Sequence, residues 1–355
     1  MLAAVSPAHG EPAKKPAPGS FTIERFKLEA GVTLPSVTII YGTYGTLNAA
    51  KDNAILLPSH YMAQSDGYDG WIGEGRTLDP KKYFLIMTEM FGNGRSSSPS
   101  NTAKPFDGPR FPVTTIRDNV EAVHRLLEDG LGVHHLKAVI GFSMGAEQAF
   151  QWAVSYPKFM DKIVATAGTA RCWPHGVVRL DSQIRALALD PAFANGDYKA
   201  QPTHGIEATG AVWLAWLYSQ EWWRRELWKK TDAASAKLTL AQYAETASKE
   251  FFAGTDANNL ILQMRTWQMH DVGTTPGFAG STEKALRSIV VPVLYLPSAT
   301  DLYFPVGDAR LESGWIRTVT LAPIPTLWGH PAGAGVDPAD LAFIERKLHA
   351  FLATR

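Results

Sequence analysis

The stretch Leu136-Lys137-Ala138-Val139-Ile140-Gly141-Phe142-Ser143-Met144-Gly145 decides the fold. Residues 136–140 (LKAVI) form a short apolar run suited to a buried strand, and beyond Gly145 the residues Ala146, Phe150 and Ala153 keep helical spacing as far as Pro157. Between strand and helix stands Gly-x-Ser-x-Gly. On such a turn the serine takes a strained backbone conformation that lifts its hydroxyl above the sheet, and a Cβ at Gly141 or Gly145 would crowd it. The amide of Met144 heads the helix and points at a developing oxyanion. A turn serine without chemistry is the competing reading, and the strand, turn and helix around it disfavour that reading.

Working outward, Phe21, Ile23, Phe26 and Leu28, then Val37, Ile39 and Tyr41, predict two strands of an opening meander. Residues 54–58 (AILLP) and 83–87 (YFLIM) are continuously apolar, as parallel strands covered on both faces should be. Ile116, Val120, Val123 and Leu127 give a helix that stops at Gly130, and residues 162–167 (KIVATA) give another strand. The strand–helix rhythm then lapses. Residues 171–285 hold seven of the eleven tryptophans among helix-favouring stretches such as 233–252, and read as a helical lid. Residues 289–296 and 316–321 resume the strands, and a closing helix starts at Asp337-Pro338 with Leu341, Ile344, Leu348 and Phe351 on one stripe. The expected architecture is α/β: a mostly parallel eight-stranded sheet built from 21–170 and 286–355, a helical lid insertion over 171–285, and a Pro/Ala-rich tail over 1–20.

Composition narrows the function. The 355 residues carry 34 basic against 34 acidic side chains, which removes the electrostatic footprint that nucleic-acid or anionic-membrane binding needs. Apolar residues at 45% and charged residues at 19% describe an ordinary globular chain. Cys172 is the sole cysteine, so neither an internal disulfide nor a thiolate zinc cluster is available. No apolar run approaches the ~20 residues that cross a bilayer. The first twenty residues lack a basic n-region and an adequate apolar h-region, so a cytoplasmic location is expected, with a truncated export signal as the alternative.

A serine hydroxyl is a poor nucleophile until an imidazole accepts its proton. On this type of sheet the partners follow in the order serine, acid, histidine. Asp301 lies just past the late strand 289–296 and is preferred to Asp308 in the same loop; His330 lies between the last strand and the closing helix. His134, His135 and His349 read as surface residues. His60 follows the AILLP strand where the second oxyanion amide belongs, so His60 shapes that loop while Tyr61 or Met62 donates the amide. Arg95, in Gly94-Arg95-Ser96-Ser97-Ser98, lacks the P-loop lysine pattern and reads as a polar loop residue near the pocket. Trp213 and Trp216, then Trp222 and Trp223, sit at positions that cannot all face one core, so some should face a substrate tunnel or a partner subunit.

Taken together, residues 41–48 (YGTYGTLN), 51–54 (KDNA), Phe111-Pro112 with Thr115-Ile116-Arg117-Asp118, and 141–145 (GFSMG) continuing to Trp152-Ala153 and Tyr156-Pro157 resemble the homoserine O-acetyltransferase (MetX-like) branch of the α/β-hydrolases. The resemblance implies a Ser143, Asp301, His330 triad, an acyl-serine intermediate, a helical lid over a tunnel, and a homodimer formed through that lid. Two departures matter. Members acting on homoserine usually carry Asp after the catalytic histidine, where this chain has Pro331, and tend to carry arginine in a lid segment where this chain has Gly210. A zwitterionic acceptor needs fixed counter-charges in a desolvated site. Hydrolysis of short-chain, acetate-type esters is therefore expected, with no metal or tightly bound cofactor. The alternative is acyl transfer from acetyl-CoA, as a co-substrate, to homoserine or another small alcohol. A catalytically idle fold serving as a ligand sensor is the third reading, and the presence of all three triad residue types speaks against it.

Overall fold

The computed structural model describes residues 18–354; most of the tail over 1–20 lies outside the described residues. Eight strands form one sheet: β1 (Gly19–Lys27), β2 (Thr33–Tyr44), β3 (Ala54–Pro58), β4 (Phe84–Thr88), β5 (Ala138–Phe142), β6 (Ile163–Thr166), β7 (Val293–Leu296) and β8 (Val319–Leu321). Their order is β1-β2-β4-β3-β5-β6-β7-β8. β1 and β2, and β2 and β4, pair antiparallel, while every later pairing is parallel. The two late strands are shorter than their apolar runs predict. Pro292 cannot donate to a ladder, and pairing begins only at Val293 and Val319.

Alternation along the central strands feeds two cores. Leu56, Val139, Ile163 and Val293 face one side, and Ile55, Ile140, Val164 and Leu294 the other. The first face is covered by α1 (Ile116–Arg125) and α2 (Met144–Ser155), the second by α10 (Pro338–Ala353). Thr115 and Asp118 close a reciprocal capping box on α1, whose last turn widens into a π-turn over Leu126–Gly130. Asp337 caps α10 by accepting the Ala339 amide, as the Asp-Pro pair predicts.

Between β6 and β7 the chain is helical: α3 (Pro174–Ala188), α4 (Thr203–Leu217), α5 (Gln220–Arg224), α6 (Leu240–Phe251), α7 (Ala257–Gln268) and α8 (Thr282–Arg287). α9 (Val306–Ser313) follows β7. Trp222 and Trp223 do not turn to different partners. Their rings meet edge to face at 4.8 Å, inside one cluster with Tyr218, Trp228, Tyr243 and Trp328. Among the described residues no helix is long and apolar enough to cross a membrane.

The turn after β5 is the tightest point of the fold. An added Cβ at Gly141 would sit 1.9 Å from the Gly145 carbonyl oxygen, and one at Gly145 would sit 2.4 Å from that of Pro58. Both collisions are with backbone, so neither relaxes by a rotamer change. Gly141→Ala should cost at least about 3 kcal/mol in urea unfolding, at the severe end for a single substitution.

A buried carboxyl group braces the same region. Glu312 on α9 accepts from the Ala170 amide at 3.0 Å, Trp173 Nε1 at 2.9 Å and the Tyr295 hydroxyl at 2.9 Å. Burial pushes its carboxyl up to about 7, against the pull of these donors. A group whose affinity for the proton rises on folding stabilises most below its unfolded value and loses that contribution as pH rises through the folded one. Stability should thus fall between about pH 4.5 and 7 by a term on the order of 3 kcal/mol, and Glu312→Gln should flatten that slope in urea titrations across the same range.

Candidate active site

Four loops leave the carboxyl ends of β3, β5, β7 and β8 and converge. β5 ends directly at Ser143, whose φ of 56° and ψ of −124° place it in the left-handed half of backbone space. The hydroxyl is 2.9 Å from His330 Nε2, and His330 Nδ1 is 2.8 Å from Asp301 Oδ2. A carboxylate offers only acceptors, so Nδ1 carries the proton and Nε2 is left to accept from the serine hydroxyl. Asp301 is held in turn, its Oδ1 accepting the amides of Tyr303 at 2.7 Å and Phe304 at 3.1 Å. The acid and histidine loops are tied together where Thr300 Oγ1 donates to the Thr326 carbonyl and accepts the Gly329 amide.

The oxyanion side is more definite than its sequence. Met62, at φ 54°, donates its amide to Gln263 Oε1 at 2.7 Å and is thereby engaged. Of the two expected donors, the Met62 amide is thus occupied, whereas the Tyr61 amide has no partner among the described residues; the Met144 amide stands at the head of α2. Gln263 also donates to the Phe91 carbonyl at 2.9 Å, so a residue of the helical insertion sets the conformation of this loop. Nothing in the sequence near residue 60 signals it.

The remaining candidates separate. His60 is half-buried, with its ring edge-on to Phe142 at 5.0 Å and its Nδ1 without a partner, and desolvation of the ring lowers its pKa to about 4, so it is a neutral packing group at neutral pH. Trp213 stacks on Tyr61 at 4.7 Å and so belongs to the site. Trp216 does not: half-buried, it lies edge-on to His175 at 5.3 Å, about 60° around α4 from Trp213. Arg95 is also outside, paired with Glu89 at 3.3 Å and Gln64 at 2.6 Å. Sequence reading missed Tyr303 and Phe304, whose rings lie 4.8 and 5.5 Å from that of His330, and Arg179 behind them. For Tyr303 and Phe304 the only signal was proximity to Asp301 in the chain, and for Arg179 there was none. Ser143 and His330 are 2% and 5% exposed, so the insertion closes over the reacting atoms.

Comparison with known proteins agrees with this geometry. The α/β hydrolase fold family matches residues 55–321. The ethyl acetate hydrolase of Pseudomonas veronii is 35% identical over 330 residues, 92% of this chain and 93% of that one. A homoserine O-acetyltransferase of Symbiobacterium thermophilum is 30% identical over 92% of this chain and 91% of its own. The solved acetylester hydrolase of Corynebacterium glutamicum superposes with a TM-score of 0.90 at 30% identity, over 95% of this chain and 96% of that one. With a nucleophile turn, a histidine and an acid in this arrangement and these relatives over nearly its whole length, the chain belongs to the α/β hydrolase family.

Proposed function

We propose that the protein hydrolyses short-chain, acetate-type carboxylic esters through an acyl-Ser143 intermediate. Ser143 attacks the ester carbonyl while His330 Nε2 takes its proton; Asp301 holds the ring and stabilises its cationic form. The Met144 and Tyr61 amides receive the negative charge on the tetrahedral oxygen, roughly 3 to 4 kcal/mol for each donor. His330 then returns the proton to the leaving alcohol, and water, deprotonated by the same imidazole, releases the acid. Attack, charge stabilisation and proton transfer all come from groups of this chain, so the reading calls for no metal or cofactor. The observation that carries it is the continuous hydrogen-bonded line from Ser143 through His330 to Asp301.

Transfer to an amino-acid alcohol is the second reading, supported by the acyltransferase relatives. Two details favour water or a less polar alcohol. Pro331 follows His330 and is buried, leaving no carboxylate there for an ammonium group. At Gly210, an added Cβ would lie 2.2 Å from the Ser248 carbonyl, because α4 and α6 pack backbone to backbone, so no arginine fits.

A homodimer through the insertion is part of this proposal, supported by Val178, Leu189 and Leu240, large apolar side chains exposed on or beside its helices. Sedimentation of the full chain should give twice the monomer mass, and Leu240→Asp should shift it toward monomer.

Purified protein should release acetate from p-nitrophenyl acetate, and Ser143→Ala and Asp301→Asn should each lower kcat by about 10³-fold or more while both variants stay folded. Efficient release of CoA from acetyl-CoA that depends on homoserine, with little ester hydrolysis, would overturn the esterase reading in favour of the transferase.

A further inference from the structure

Among the described residues, Arg179 is a buried cation with no counter-charge at hydrogen-bonding distance and with most of its N–H groups unused. Arg179, on α3, is 2% exposed, and its single side-chain hydrogen bond runs from Nη1 to Gln183 Oε1 at 3.2 Å. Nε and Nη2 are buried without a partner. Lys162 shows what the chain does with a buried cation that is structural: its Nζ donates to the Phe351 and Thr354 carbonyls and to Thr354 Oγ1.

The faces of the Arg179 guanidinium are covered by aromatic rings, with Tyr303 at 4.0 Å, Trp267 at 4.5 Å and Trp213 at 5.7 Å from its central carbon. Rings satisfy the faces of a guanidinium, not the N–H groups on its edge, which form a fork matched to a carboxylate. Trp213 Nε1 is a further buried donor without an acceptor. Glu147 has neither oxygen hydrogen-bonded, and burial raises its carboxyl well above the usual range; Asp301, whose charge the guanidinium also feels, is hydrogen-bonded instead to His330 and to the Tyr303 and Phe304 amides. The same rings reach the reacting atoms: Tyr303 lies 4.8 Å from His330, and Trp213 stacks on Tyr61. The guanidinium thus packs against rings that also lie against the imidazole and the Tyr61 loop.

We propose that Arg179 is a specificity residue that receives a carboxylate carried by the substrate, so that the preferred esters of this site are short half-esters bearing one free carboxyl group. The proposal rests on the esterase reading above and deepens it. The carboxylate has two possible sources, the acyl part or the alcohol part of the ester, and two isosteric pairs separate them: monomethyl succinate against methyl 4-methylpentanoate, and acetoxyacetate against isobutyl acetate.

Initial rates followed by pH-stat should show, for one pair, a kcat/KM at least about tenfold higher for the anion, and that ratio should collapse toward one in Arg179→Gln and be partly kept in Arg179→Lys. Ratios at or below one for both pairs, or a ratio unchanged in Arg179→Gln, would sink the proposal. Isobutyl acetate hydrolysis that vanishes in Ser143→Ala tests the esterase reading separately. If no ester is turned over, calorimetric titration of Ser143→Ala with monomethyl succinate and with acetoxyacetate still reads Arg179: binding of either, lost in Ser143→Ala/Arg179→Gln, supports the site, and heat from neither overturns it. Should Arg179→Gln fail to fold, Arg179→Lys carries both measurements. Recovery of the stability lost in Arg179→Gln by adding Glu147→Gln would overturn the proposal, showing that Glu147 already neutralises the cation.

Discussion

A serine with positive φ persists only where its surroundings leave the backbone no alternative, and the rest of this site depends on that constraint. Gly141 brings β5 against the start of α2, Gly145 brings α2 against the end of β3, and the Ser143 amide donates to the Thr166 carbonyl at the end of β6. With the turn closed, the hydroxyl and the head of α2 are aimed together. Nucleophile and oxyanion donor come from adjacent residues of one rigid element, and His330, 187 residues away, needs only to reach them.

The helical insertion has two tasks that share residues. It covers the triad, and it shapes it: Gln263 sets the Tyr61–Met62 loop, Trp213 stacks on Tyr61, and the Tyr303 hydroxyl donates to the Trp213 carbonyl at 2.5 Å. The insertion and the Tyr61–Met62 loop are therefore packed as one unit beside Ser143.

Buried polar groups are distributed unevenly around this layer. Glu312 is saturated with donors and ties α9 to β7 and to the loop after β6, whereas Arg179 on α3 of the insertion and Glu147 on α2 of the core keep unused hydrogen-bonding capacity. Saturation is what a bracing group needs. Unused capacity next to a nucleophile is what a ligand needs.

The eight strands were legible because buried parallel strands read as short apolar runs, and the hydrogen-bonded line of Ser143, His330 and Asp301 because each lies in a loop that follows a strand. Reading stopped where a residue's role depends on its neighbours in space. Trp213 and Trp216 sit one turn apart on α4, yet one stacks on Tyr61 and the other meets His175 edge to face. Tyr61 and Met62 are adjacent, and only a glutamine 201 residues from Met62 decides which amide is spent. The chain by itself determined the sheet, the strained turn and the strand-end positions of Ser143, Asp301 and His330, since these follow from backbone geometry and chain order. Which amide of the Tyr61–Met62 loop stays free, which tryptophan stacks on that loop and where an arginine with unused N–H groups ends up were decided by the packing of the insertion, because hydrogen-bond saturation and burial are properties of three-dimensional contacts that no local pattern encodes.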